Sequence, residues 1–225
     1  SSLDQKKISN DYSIGRIPAR DNSQIEIYLE KIKAFENQPA AKWQKKVIQL
    51  AGGDASLNLQ FTSYLNEYYR ILSDTNFGGY RVFFSKNEPT PVQTSLTGKI
   101  IKEVNSGASM LSYFGHGAAQ VTEISLGSPS DYNNYGKTPL FFFNGCALGN
   151  TFEDMSLAEM FLFEPKNGAL GWIASSNYGF TDLLFSHSKE IHKALFQTRY
   201  GQGVRLYLKE DSNAYGTINI ALRIL

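Results

Sequence analysis

Apolar residues recur along the chain in two spacings, one typical of helices and one typical of buried strands. Helices are predicted at residues 23–36, 57–73, 92–105, 156–163 and 183–197. Strands are predicted at residues 47–51, 80–84, 108–115, 139–145, 168–175 and 204–208. The three strands between residues 108 and 175 have almost no polar alternation, which is typical of parallel strands covered on both faces. The alternation of strands and helices therefore predicts an α/β domain with a mainly parallel sheet.

The first predicted helix also carries a prediction about burial. Residues 21–23 read Asp-Asn-Ser, which are residue types that cap helix N-termini. Apolar side chains follow at helical spacing, at Ile25, Leu29, Ile32 and Phe35. The pattern predicts that these four side chains form one buried stripe.

The two ends of the chain are expected to differ from its middle. Residues 1–13 are polar and are expected to form a ragged N-terminal segment, so the domain is assigned to residues 14–225. The chain begins at Ser1 with neither an initiator Met nor a signal peptide, and it ends on the apolar pair 224–225. These features are typical of a fragment excised from a longer protein, and we expect the domain to be incomplete at its ends.

Composition argues against several classes of function. The 225 residues include 22 Lys and Arg against 21 Asp and Glu, and a net charge of +1 gives no overall attraction to nucleic acid. The chain has no run of about 18 apolar residues, so no transmembrane helix is expected. One cysteine excludes an internal disulfide, and with three histidines it leaves little material for a metal site. The sequence lacks the glycine-rich motifs that bind nucleotides, and neither a metal nor another cofactor is expected.

Reactive side chains follow two of the predicted buried strands. His116 follows the strand at 108–115, and Cys146 follows the strand at 139–145. Ligands of open parallel sheets bind beyond the carboxyl ends of the strands, so neighbouring strands would bring the imidazole and the thiol to one edge. Glycines flank both positions, and they allow sharp turns and a close approach of substrate to main-chain N–H groups.

A cysteine and a histidine placed together support covalent acyl transfer. The thiolate attacks a carbonyl and the imidazolium protonates the leaving amine. The N–H groups of Gly117 and Cys146 are candidates to stabilise the oxyanion. Taken singly, each motif has a plainer interpretation, because a cysteine after an apolar strand is often a small buried hydrophobe and Gly-His-Gly is often a turn. Their occurrence at matching strand ends favours the catalytic interpretation.

Two motifs surround the candidate histidine and cysteine: residues 113–117 read Tyr-Phe-Gly-His-Gly, and residues 144–150 read Asn-Gly-Cys-Ala-Leu-Gly-Asn. They resemble the histidine and cysteine motifs of the caspase-like cysteine peptidases, and among these the gingipain-like family. Residues 14–20 resemble the segment that opens the catalytic part of gingipain-like peptidases. The later segments 156–159, 164–169 and 173–176 resemble most the branch that contains the type IX secretion sortase, a surface peptidase that trims exported proteins and transfers them to a lipopolysaccharide anchor.

The resemblance, which covers roughly residues 14–181, implies a fold and a site. The implied fold is a caspase-like three-layer α/β/α domain, and the implied dyad is His116 and Cys146 with the Gly117 N–H in the oxyanion hole. A loop after residue 175 is implied to wall the pocket for the residue before the scissile bond, which makes Ser176 and Asn177 candidate substrate-binding residues. The sortase branch tends to have Thr-Thr-Arg where residues 175–177 read Ser-Ser-Asn, so its specificity does not carry over.

Other titratable residues are candidates for lesser roles. Asp54 could orient His116 or contact substrate, but an Asp in a Gly-Gly-Asp turn more often serves the turn itself. Glu123 could line the cleft, although an exposed loop carboxylate is the simpler interpretation. His187 and His192 are five residues apart, which does not place two ligands on one helical face, so we predict surface or core histidines.

The sequence thus supports one hypothesis and two alternatives. The hypothesis is a cysteine endopeptidase or transpeptidase, sortase-like, that acts on protein or peptide substrates through a thioester acyl-enzyme. The resemblance implies secretion-system components as further partners and the bacterial outer surface or the exterior as the location. The first alternative is a non-catalytic caspase-fold binding scaffold, and the second is a secreted gingipain-like digestive protease.

Overall fold

A five-stranded parallel sheet lies at the centre of the computed structural model, which describes residues 16–74, 77–86, 93–152 and 155–196. The strands, including one short antiparallel pair (β4 and β5), are β1 (Lys46–Ala51), β2 (Tyr80–Ser85), β3 (Met110–Phe114), β4 (Gly117–Ala118), β5 (Val121–Thr122), β6 (Leu140–Asn144) and β7 (Gly171–Ala174). The helices are α1 (Asn22–Glu36), α2 (Ala55–Leu72), α3 (Gln93–Asn105), α4 (Leu157–Phe163) and α5 (Thr181–Phe196). The predicted N-terminal segment 1–13 and the predicted strand 204–208 lie outside the described residues.

The sheet is covered by helices on both faces. Its strand order is β2-β1-β3-β6-β7, and every neighbouring pair is parallel. Tyr28 of α1, Ile100 of α3 and Phe161 of α4 belong to the core on one face. Leu72 of α2 and Ile191 of α5 belong to the core on the other face. The predicted three-layer α/β architecture with a mainly parallel sheet is confirmed.

Burial on both faces explains why the central strands lack polar alternation. In β3, Leu111 and Tyr113 belong to the core under α1, α3 and α4, whereas Met110 and Phe114 belong to the cores on the opposite face. All four side chains are buried. Burying a large apolar side chain contributes about 1.5–3 kcal/mol, so apolar residues are favoured at both alternating sets of positions.

Short polar side chains define where several helices begin. The carboxylates of Asp21 and Asp54 accept backbone N–H groups three residues further on, at 3.0 and 3.1 Å, and so cap α1 and α2. Ser156 and Glu159 form a reciprocal capping box at the start of α4. These caps account for the close agreement of the predicted helices with the observed ones, whose ends differ by two residues at most.

The predicted buried stripe of α1 is wrong for two of its four residues, whereas Ile32 packs against the core. Ile25 and Leu29 are 41% and 46% exposed, whereas Tyr28 and Lys31 are buried. The Lys31 ammonium donates to the carbonyl oxygens of Phe161 and of the next residue, both at 3.0 Å, at the C-terminal end of α4. These carbonyls lack partners within their own helix, so a lysine on α1 satisfies them and turns that face of α1 toward the core.

His192 is a core histidine, as one of the two sequence interpretations expected. It lies in α5, fully buried, with its ring stacked on Tyr68 at 4.3 Å between centroids. Its Nδ1 lies 2.7 Å from the Ser188 carbonyl oxygen. Burial lowers the pKa of His192 to about 4, although the hydrogen bond to Ser188 opposes this shift.

We expect the free energy of unfolding to fall when the pH is lowered from 6.5 towards 4. The unfolded chain binds a proton at His192 near its ordinary pKa of 6.5, whereas the folded chain resists protonation down to about 4. Between these two pH values the unfolded state therefore binds more protons than the folded state. Lowering the pH through this range reduces the free energy of unfolding by about 3 kcal/mol in all. Urea unfolding of the wild type and of His192→Phe, at pH 7 and pH 4.5, measures this effect. An equal loss of stability in both proteins would contradict the assignment to His192.

Candidate active site

His116 and Cys146 follow the ends of two strands that lie side by side. The last residues of β3 and β6, Phe114 and Asn144, are register partners, and each candidate stands two residues further along. The N–H of Gly115 donates to the Asn144 carbonyl oxygen at 3.0 Å, so the strand pairing continues into the loops. The sequence argument required these strands to be neighbours, and they are. The loop that begins at Gly115 (the histidine loop) and the loop that begins at Gly145 (the cysteine loop) leave the same edge of the sheet.

The backbones of the two loops are in van der Waals contact. A Cβ atom placed on Gly145 would lie 2.8 Å from the Gly115 carbonyl oxygen and 3.6 Å from the Gly117 nitrogen. The Leu148 side chain packs against both Gly145 and Gly117 and would meet a Cβ on either. Glycine at 145 therefore allows the histidine and cysteine loops to approach to a distance that a side chain would prevent.

The cysteine loop is held by the segment that follows β7. Cys146 is half-buried, and its Sγ lies 3.5 Å from the N–H nitrogen of Gly179. Ala147, the next residue, has a φ of 54°, a left-handed conformation that is uncommon for a residue with a side chain. The Ala147 N–H donates to the Asn177 carbonyl oxygen at 2.9 Å. The thiol is thus presented on a sharp turn that a second loop supports.

Two side chains hold the histidine loop through hydrogen bonds to its main chain. The N–H of His116 donates to a carboxylate oxygen of Glu123 at 2.9 Å, and its carbonyl oxygen accepts from the Tyr113 hydroxyl at 2.6 Å. The imidazole is exposed at the site, with the Phe61 ring edge-on at 6.3 Å between centroids. The ring is therefore open towards a substrate, while the residue that carries it is fixed at both of its peptide groups.

Asp54 stands near the histidine but has a structural role of its own. It is the N-cap of α2, and hydrogen bonds from the Leu57 N–H and the Ser56 hydroxyl lower the pKa of Asp54. The charge of His116 lowers this pKa further, by a smaller amount. The turn interpretation of Asp54 fits the structure, and its action on His116 stays a prediction.

Glu123 is not the exposed loop carboxylate that the simpler interpretation expected. Its side chain is only 16% exposed and accepts from the backbone N–H groups of Gly53 and His116 at 2.7 and 2.9 Å. Lys86 pairs with its other oxygen at 2.9 Å. Although burial raises the pKa of Glu123, these N–H donors and the Lys86 ammonium hold it below its ordinary value, so the carboxylate is charged. No local sequence signal identifies these partners.

The candidate substrate-binding residues lie in the segment that supports the cysteine. Ser176 is half-buried and Asn177 is exposed, with the Asn177 side-chain oxygen accepting from the Tyr178 N–H at 2.8 Å. Tyr178 and Phe180 are 85% and 74% exposed and flank the glycine whose N–H faces the thiol. Sequence reasoning did not single out these two aromatic residues, although both stand in the loop 176–181 that it assigned to the pocket wall.

Two segments that carried the resemblance contact each other. The Arg20 guanidinium pairs with the Glu159 carboxylate at 3.1 Å, and Arg16 donates to the Thr151 hydroxyl at 3.0 Å. Residues 16–20 therefore lie against α4 and the end of the cysteine loop.

None of the described helices combines the length and the hydrophobicity that a membrane-spanning helix requires.

A parallel α/β/α domain with a histidine and a cysteine at the ends of two neighbouring strands is typical of the caspase-like cysteine peptidases. The sequence profile described as Peptidase family C25 matches residues 1–218. The chain therefore belongs to peptidase family C25, a family of cysteine peptidases, and the expected relation to the gingipains is confirmed.

Solved gingipain structures have the same fold at low sequence identity. The complex of the pro- and mature domains of RgpB from Porphyromonas gingivalis matches with a TM-score of 0.72 and 16% identity, over 91% of this chain and 53% of that chain. The Arg-specific cysteine proteinase gingipain R (RgpB) matches with a TM-score of 0.68 and 18% identity, over 87% and 49%. The chain thus spans about half the length of these solved structures. No curated protein sequence matches the chain.

Proposed function

We propose that this chain carries the catalytic centre of a cysteine endopeptidase, with Cys146 as the nucleophile and His116 as the general acid and base. The observation that carries the proposal is the main-chain contact between the two loops, which follow register-paired strand ends. The Gly117 N–H stands in the same contact, next to the cysteine loop, and together with the Cys146 N–H it would stabilise an oxyanion.

The proposed reaction has two acyl-transfer steps. The Cys146 thiolate adds to the carbonyl carbon of the scissile peptide bond, and the oxyanion forms against the two N–H groups. The C–N bond then breaks as His116 transfers its proton to the departing amine nitrogen, which leaves a thioester on Cys146. Water attacks the thioester and gives a proton to His116, and release of the carboxylic acid restores the thiolate–imidazolium pair.

The segment after β7 forms one wall of the proposed substrate site. We assign Ser176 and Asn177 to substrate binding because they lie beside the turn that carries Cys146, to which the Asn177 carbonyl is hydrogen-bonded. Tyr178 and Phe180 add exposed aromatic surface to the same wall. A substrate that lies between this wall and the histidine loop would place its carbonyl group at the thiol.

The finer part of the proposal is a sortase-like transpeptidase of type IX secretion. Sequence resemblance supports it through the order of the segments 156–159, 164–169 and 173–176, while Ser-Ser-Asn at 175–177 departs from the branch. The same proposal includes secretion-system partners and export to the outer surface or the exterior. It also assigns the peptidase domain to residues 14–225. Transpeptidation requires an amine, instead of water, to take the acyl group from Cys146.

The test is intact-mass analysis after exposure to peptidyl acyloxymethyl ketones that differ in the residue nearest the reactive group. We expect one adduct, on Cys146, from a subset of the probes. We expect His116→Ala to slow this labelling by about a hundredfold or more, since a positioned acid or base contributes at least that much. The wild type and His116→Ala are compared at a temperature at which circular dichroism shows both proteins to be folded.

Two other outcomes would change the assignment. If no probe forms an adduct while iodoacetamide alkylates Cys146 at the rate of an ordinary thiol, the binding scaffold replaces the enzyme. If peptide cleavage occurs but added Gly-Gly amide is never incorporated into the products, the chain is a hydrolase, as in the digestive alternative. Incorporation of the amide supports the transpeptidase.

A further inference from the structure

Glu123 joins three loops at the same edge of the sheet. One of its carboxylate oxygens accepts from the Gly53 N–H, in the loop after β1, and from the His116 N–H, in the loop after β3. Its other oxygen accepts from Lys86, which directly follows β2. Because one oxygen accepts from two of the loops and the other oxygen pairs with the third, this side chain holds the three loops together.

Tyr113 holds the second peptide group of His116. Its hydroxyl donates to the His116 carbonyl oxygen and lies 3.3 Å from the Glu123 nitrogen, which donates to it. Burial, with a smaller contribution from the Glu123 charge, raises the pKa of Tyr113, so the hydroxyl keeps its proton and remains a donor. The peptide groups on both sides of the His116 Cα atom are therefore held by side chains of the same cluster.

We propose that Glu123 is a positioning residue for His116, and that it fixes the backbone from which the imidazole reaches the leaving group at Cys146. The inference rests on the proposed peptidase function. The imidazole itself is exposed, so its position at the site depends on where its backbone is held. A shift of about 1 Å in a reacting group can cost a hundredfold in rate, and this makes such fixation catalytically important.

The side chains at 123 and 86 allow a graded test. Glu123→Ala removes the acceptor for both N–H groups, whereas Glu123→Gln keeps one oxygen that can accept both and turns an NH2 donor, in place of an acceptor, towards Lys86. Lys86→Met leaves the carboxylate in place. Glu30→Ala, on the exposed face of α1, is the matched control for loss of a surface carboxylate.

The measurement is the inactivation of each variant by the acyloxymethyl ketone that labels the wild type fastest. We expect Glu123→Ala to lower the maximal inactivation rate by about tenfold to a hundredfold, with the probe concentration for half-maximal rate unchanged. Glu123→Gln and Lys86→Met should stay within about threefold of the wild type, since the two N–H contacts persist. Glu30→Ala should equal the wild type.

The possible failures are distinct. If the wild type forms no adduct, the proposed function fails, and the positioning role fails with it. If the wild type reacts and Glu123→Ala reacts at the same maximal rate while folded, the positioning role alone is wrong and Glu123 only stabilises the fold. If Glu123→Gln loses as much as Glu123→Ala, the charge and not the N–H contact matters, which also overturns the inference.

Discussion

Replacing Cys146 by Ala is expected to abolish cleavage of a panel of fluorogenic peptides, with a loss of about 10⁴-fold or more. The reaction proposed for this site passes through a bond to the Cys146 sulfur, and the methyl group of Ala cannot form it. His116→Ala should lower the rate strongly but leave the thiol able to react with iodoacetamide. Initial rates for wild type and both variants, with enzyme purified in the same way, measure the effect.

The loss of activity in Cys146→Ala has to be distinguished from a loss of the folded structure. Cys146 is half-buried, and replacing it by a smaller side chain should change the thermal midpoint only slightly. Cleavage by Cys146→Ala at the wild-type rate would end the proposal that this residue is the nucleophile. An unfolded Cys146→Ala protein would be recognised by circular dichroism, and Cys146→Ser then serves as the second inactive variant.

Replacing Gly145 by Ala is expected to separate the histidine and cysteine loops. The added Cβ would lie 2.8 Å from the Gly115 carbonyl oxygen, and that backbone atom is hard to displace because it is adjacent to a strand pairing. We expect probe labelling of Cys146 to fall by about a hundredfold, as for a misplacement of about 1 Å. Overpacking should also destabilise the protein by about 1–3 kcal/mol in urea unfolding.

Gly98 offers a matched control for Gly145. It lies on the exposed side of α3, and a Cβ there would meet no atom within 4 Å. Gly98→Ala should therefore stabilise the protein by about 0.5–1 kcal/mol, because glycine is a poor residue within a helix. Its labelling rate should equal that of the wild type. A Gly145→Ala protein that labels as fast as Gly98→Ala would show that the loops need not touch.

Much of the fold could be predicted from the sequence because its signals are local. The helix period, the N-caps and the uninterrupted apolar runs depend on residues close in the chain, and these predicted the elements within a few residues. The prediction failed for part of α1, where Ile25 and Leu29 are exposed while Lys31 is buried. The partners of Lys31 lie more than a hundred residues away, on α4.

The candidate site, like the fold, was predicted only in part from the sequence. The sequence by itself determined the candidate nucleophile and acid, because glycine-flanked reactive residues follow recognisable buried strands, and it determined the family by motif. Only the tertiary structure decided that β3 and β6 are neighbours and that Gly145 meets the histidine loop. It also decided the partners of Glu123, since Gly53 and Lys86 are 70 and 37 residues away. Contacts at such separations depend on the order of strands in the sheet, and the local residue pattern carries no record of that order.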